Sequence, residues 1–86
     1  MFPITEEIRR VLALHGRLAV DVSSLGDDDD LYRAGLTSHS GVRVMLALED
    51  TFDVEFPEHM LRNRTFASIG SIREALVELL ATGAGS

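Results

Sequence analysis

Three stretches of this chain space their apolar side chains helically, and nowhere does it offer two strands that could pair. The clearest is Ser38 to Asp53, where Val44, Leu48 and Phe52, with Met45 alongside, recur at i, i+4 and i+8. Ile4, Ile8, Val11, Leu12 and His15 do the same over Thr5 to about His15. A last stripe of Phe66, Ile69, Ile72, Leu76 and Leu79 or Leu80 follows Thr65. Leu18, Val20, Val22 and Leu25 alternate as a strand would. An isolated strand is not viable, so Arg17 to Thr37 reads as a long loop pinned to the core by those side chains.

The punctuation agrees. Thr5 is placed to cap the first helix, Glu6 and Glu7 complement its dipole, and Gly16 is placed to end it. Asp27 to Asp30 can cap a short turn holding Leu31 and Tyr32, which Gly35 would end. Phe56-Pro57 breaks the middle pattern, and Glu58 to about Arg62 is expected to form a short helical turn with Met60 or Leu61 inward. Thr65 is the expected cap of the last helix. The result is an all-α four-helix bundle: three main helices, a short third, and a long loop between helices 1 and 2. With 86 residues there is one core, assigned to 1–81, and 82–86 form a small polar tail expected to fray.

Composition removes several classes of function. The net charge is −6, and the eight basic residues, all Arg, are scattered, which argues against nucleic acid. No apolar run approaches the roughly 20 residues of a membrane span, and the N-terminus lacks the features of a signal peptide. Without cysteine there are no disulfides and no thiolate metal ligands. A cytoplasmic monomer is the expectation, with no membrane partner.

Ser38 stands at the mouth of the clearest helix, after the loop glycine Gly35. A hydroxyl there lies beside the partial positive charge of a helix N-terminus, which suits a covalently attached phosphate. Taken alone, a serine in this place reads as a helix cap. The wider pattern shifts the balance: Gly35-Leu36-Thr37-Ser38, then Leu46-Ala47-Leu48-Glu49-Asp50-Thr51-Phe52-Asp53-Val54-Glu55-Phe56-Pro57, then Thr65-Phe66-Ala67-Ser68-Ile69. At these residues the chain resembles the acyl carrier protein family from about Leu31 to Leu80. That family carries Gly-x-Asp-Ser-Leu, an acidic helix ending in Glu-x-x-Phe and a Phe-Pro-like turn, and a closing Thr-x-x-x-Ile.

The resemblance implies that Ser38 bears 4′-phosphopantetheine as a phosphodiester, transferred from coenzyme A by a phosphopantetheinyl transferase. The arm's thiol would hold an acyl group as a thioester and present it to partner enzymes, so the chain itself is not an enzyme. Where the family has Asp before the serine and an aliphatic residue after it, this chain has Thr37 and His39, and Ser40 and Arg43 replace residues often acidic in fatty acid carriers. Within the family it looks most like stand-alone aminoacyl carrier proteins, charged by an amino acid:carrier protein ligase and relieved by a downstream acceptor enzyme. A fatty acid, polyketide or peptide synthesis carrier is the alternative, and a non-carrier helical interaction module the alternative of another class.

Other constellations are weaker. His39 is adjacent to Ser38 and turned about 100° away, so the two do not form a nucleophile–base pair. Asp27–Asp30 lack the spacing and central Gly of a calcium loop and read as a solvated, capping run. His15 reads as a half-buried helix-end residue and His59 as a surface one; neither has metal-ligand spacing. Val42 and Leu46 are either extra core or the apolar centre of a docking face, with His39, Arg43 and Glu49 around them.

Overall fold

The computed structural model describes residues 3–82. Its elements are α1 (Ile4–His15), α2 (Ser38–Phe52) and α3 (Ile69–Thr82), with single 3₁₀ turns at Val22–Ser24 and Glu58–Met60. The described residues are all-helical without strands, so the helical reading and the long loop hold. The expected short third helix is instead the three-residue 3₁₀ turn Glu58–Met60. Pro57 supplies its start, and Leu61 leaves helical geometry at ψ 62° after two N–H···O=C bonds, Met60 to Pro57 and Leu61 to Glu58.

Each stripe buries as its spacing demands. Ile8, Val11 and Leu12 of α1 pack with Val44 and Leu48 of α2 and with Ile69, Ile72, Leu76 and Leu79 of α3. Met60 points in and Leu61 out; Leu79 points in and Leu80 out. The rings of Phe56 and Phe66 meet edge-to-face at 5.5 Å, tying the turn after α2 to the segment before α3.

Two caps lie elsewhere than the sequence suggests. Pro3 precedes α1, and Thr5 sits inside it, its hydroxyl accepting a bond from Arg73 Nη1 at 3.1 Å. Proline at the mouth of a helix gives up no N–H that the helix needs. At α3 the cap is Ser68, not Thr65: Ser68 Oγ accepts from Ser71 N at 3.1 Å, and Ser71 Oγ accepts from Ser68 N at 3.0 Å. Phe66 is buried ahead of the helix, so its place in the apolar stripe comes from the turns over Arg62–Ala67. His15 is exposed rather than half-buried, and His59 is exposed. Of the 82–86 tail, Thr82 is the last residue of α3 and 83–86 lie outside the described residues.

The long loop is fastened at both ends. Asp27 accepts from Arg9 Nη2 at 3.0 Å and from Arg73 Nη1 at 2.8 Å, joining the loop to α1 and α3. Its carbonyl accepts Gly70 N–H at 2.8 Å. The Arg73 hydrogen bond, supported by Arg9, holds the Asp27 carboxyl below the ordinary carboxylate range. The acidic run is therefore only partly solvated. Asp30 performs the expected capping, its Oδ1 accepting from Tyr32 N and Arg33 N. Gly35 then turns the chain at φ 118°, where a Cβ would lie 2.7 Å from Ala19 N. Leu31 and Leu36, both buried, and the bond from Leu31 N to Ala67 O at 2.7 Å deliver the chain to Thr37.

Candidate functional site

Thr37 caps α2. In extended geometry (φ −114°, ψ 170°) its Oγ1 accepts from Ser40 N at 3.1 Å, and Ser40 Oγ accepts from Thr37 N at 2.9 Å. This reciprocal box satisfies a helix-start donor and the backbone N–H of the cap itself. It also explains two departures noted in the sequence: Thr37 does the capping that an Asp would do, and Ser40, 3% exposed, is the buried half of the box.

Ser38 is thereby relieved of the capping role. It is the first residue of α2, it is exposed, and its hydroxyl has no hydrogen-bond partner among the described residues. An uncommitted hydroxyl beside free helix-start N–H groups can accept a phosphate ester without disturbing the fold. The chain around it is rigidly supplied, by the buried Leu36 on one side and the buried Ser40 on the other.

Beside Ser38 runs a groove of about 190 Å³ between α2 and the segment following the second 3₁₀ turn, lined by Tyr32, Ser38, Gly41, Val42, Met45, Leu61, Arg62, Asn63 and Phe66. Its walls are mostly apolar. Tyr32 OH points to Asn63 Oδ1 at 3.5 Å, and burial, with Asp30 nearby, raises the phenol's pKa, so it stays a neutral donor. Sequence reasoning missed Tyr32, Arg62 and Asn63 here. The one signal was the choice between Met60 and Leu61: once Met60 enters the core, Leu61 is left over for a surface groove.

The remaining nominated residues separate into two groups. Val42 and Leu46 are 52% and 54% exposed, which places them on the surface rather than in the core. His39 and Arg43 are exposed and joined, Arg43 Nε donating to His39 Nε2 at 3.4 Å. Glu49 differs: it is half-buried, and its Oε2 accepts from Phe56 N at 2.8 Å, bracing the turn after α2. Glu49 thus spends one carboxylate oxygen on the fold. Among the described residues no cluster of His, Asp and Glu could hold a metal ion, and no helix is long and apolar enough to cross a membrane.

Comparison with known proteins gives the family of this fold. Residues 4–76 match the family model described as the phosphopantetheine attachment site. An aminoacyl carrier protein of Agrobacterium fabrum is 43% identical over 73 residues, covering 85% of this chain and 88% of that protein. The fold superposes with TM-score 0.84 and 42% identity on a chain in a crystal structure of an engineered Bradyrhizobium japonicum glycine:[carrier protein] ligase complexed with carrier protein from Agrobacterium tumefaciens and ATP. That match covers 90% of this chain and 99% of the other. A solution structure from Agrobacterium tumefaciens superposes with TM-score 0.76 at 38% identity, over 95% of this chain and 99% of that one. A helical bundle that sets an uncommitted serine at the mouth of its second helix thus belongs to the phosphopantetheine-attachment family, as a carrier protein homologous to the aminoacyl carrier proteins and not itself an enzyme.

Proposed function

We propose that this chain carries an aminoacyl group as a thioester on a 4′-phosphopantetheine arm esterified to Ser38. The observation that carries the assignment is the division of labour at α2: Thr37 and Ser40 close the helix start between them and leave the Ser38 hydroxyl exposed and unbonded. Bound there, the arm supplies a thiol, a nucleophile this cysteine-free chain lacks. The chain's own residues hold the attachment point and present it. Its aminoacyl cargo is supported by the kinship with an aminoacyl carrier protein and by the ligase bound to the carrier in the related crystal structure.

Three partners follow: a phosphopantetheinyl transferase that installs the arm, an amino acid:carrier protein ligase that charges it, and an acceptor enzyme that unloads it. The face they meet is Val42 and Leu46, exposed apolar side chains next to Ser38, with the His39–Arg43 pair at its edge. Glu49 borders it as a structural brace.

Incubation with coenzyme A and a broad-specificity transferase should add the mass of one arm to the folded protein and none to Ser38→Ala. An equal gain on Ser38→Ala would place the arm elsewhere. Holo-protein given ATP, glycine or alanine and the Bradyrhizobium japonicum ligase should gain one aminoacyl mass, and loading only by a fatty acyl ligase would defeat the aminoacyl assignment.

A further inference from the structure

Arg62 stands on the wall of the same groove as Ser38. It is exposed, and its guanidinium has no hydrogen bond or ion pair among the described residues, although the chain carries 14 acidic side chains against eight arginines. Arg9, Arg10 and Arg73 each hold a carboxylate, and Arg43 holds His39. No Asp or Glu lines the groove, so Arg62 is its one formal charge.

An anion is what this arrangement lacks. A phosphodiester on Ser38 would bring one negative charge to the mouth of the groove. Guanidinium is the side chain best shaped to receive two phosphate oxygens. The segment of pantetheine next to the phosphate bears two methyl groups on one carbon, which match the apolar wall of Val42, Met45 and Leu61. We infer that Arg62 is a positioning residue for the arm: its guanidinium pairs with the Ser38-linked phosphodiester and lays the first part of the arm along the groove. Arg64, two residues on and equally exposed, does not line the groove and provides the control.

This inference rests on Ser38 bearing the arm, so attachment is verified first by mass, and a missing mass gain overturns both. With the arm attached, the Arg62 side-chain Nε–Hε resonance is compared between apo- and holo-protein, and the ³¹P resonance of the arm between holo wild type and the holo variants. Arg62 should shift on arm attachment and relax toward its apo position as salt is raised, because the pair is solvent-facing. In holo Arg62→Gln the ³¹P resonance should move away from wild type and lose its salt dependence. Arg62→Lys should restore part of it, and Arg64→Gln should match wild type. An unmoved Arg62, or equal ³¹P responses in the two Gln variants, overturns the assignment. An unmoved Arg62 together with a raised ligase KM in Arg62→Gln would transfer the residue to a protein partner instead.

Discussion

Helices α2 and α3 begin with the same device and seat opposite residues on it. Each opens with a hydroxyl cap and a serine three residues later, bonded reciprocally: Thr37 with Ser40, and Ser68 with Ser71. The position between cap and box differs. In α2 it is Ser38, exposed; in α3 it is Ile69, with no exposed surface at all. The surroundings differ to match. The start of α3 is roofed by the long loop, with Gly70 N–H bonded to the Asp27 carbonyl and Ser71 Oγ donating to the Thr65 carbonyl. The start of α2 is left open beside a groove. Capping is thus the common structural task. The proposed function uses the position where a cap is complete and the next residue has nothing left to hold.

The largest test of that contrast is truncation at the two equivalent positions. Ile69→Ala empties fully buried volume and should cost about 2–5 kcal/mol in a denaturant titration. Ser38→Ala should stay within about 0.5 kcal/mol of wild type in the same titration while losing arm attachment. A strongly destabilised Ser38→Ala would show that the serine holds the fold, and the contrast would collapse.

Next come the caps. Thr37→Ala and Ser68→Ala should each cost about 1 kcal/mol, since each removes one oxygen from a reciprocal pair. The box at α2 includes Ser40 at 3% exposure, so Thr37→Ala also leaves the buried Ser40 N–H without its acceptor and should sit at the upper end. Thr37→Asp should retain the stability, because a carboxylate accepts the same N–H.

The roof over α3 has its own signature in acid. The Asp27 carboxyl is held below the ordinary carboxylate range chiefly by Arg73 and secondarily by Arg9. A lowered folded-state pKa gives stability that is complete above the unfolded value, about 4, and is lost as pH falls through the lower folded value. Thermal melts of Asp27→Asn should therefore start below wild type at neutral pH and converge with it in acid. Parallel melting curves at every pH would remove Asp27 from that role.

Much of this was legible beforehand, for physical reasons that differ by element. The helices were readable because Val44, Leu48 and Phe52, or Ile72 and Leu76, repeat at a period that only a helix buries on one side. Ser38 drew attention because motif and position coincide, and the structure leaves it exposed at the start of α2. The caps were harder: Thr5, Thr65 and Ser68 are all plausible by residue type, and the choice falls to Ser68 because Ser71 stands three residues on to answer it. The fourth helix failed because Pro57 and Leu61 leave space for one turn between them. The groove was least legible, since Tyr32, Arg62 and Asn63 come from segments with no periodicity and meet only through the fold. The brace from Glu49 was hidden for the same reason, its partner being a backbone N–H seven residues away.

The smallest expected effect compares the two glycines near these helix starts. A Cβ at Gly41 would meet nothing within 4 Å, whereas one at Gly70 would lie 3.2 Å from the Asp27 carbonyl oxygen. Alanine loses less backbone entropy than glycine on entering a helix, so Gly41→Ala should stabilise the protein by about 0.5–1 kcal/mol. Gly70→Ala should forfeit that gain. The carbonyl it crowds is fixed by the Gly70 N–H itself, and the Asp27 side chain is pinned by two arginines, so the roof has little freedom to retreat. Equal gains at both positions would mean that the loop yields and the start of α3 is as open as that of α2. Gly41 also lines the groove beside Ser38, so its new methyl group occupies space next to the proposed attachment point. Gly41→Ala should therefore combine a higher melting temperature with slower arm addition, whereas Gly70→Ala should leave the rate of arm addition unchanged.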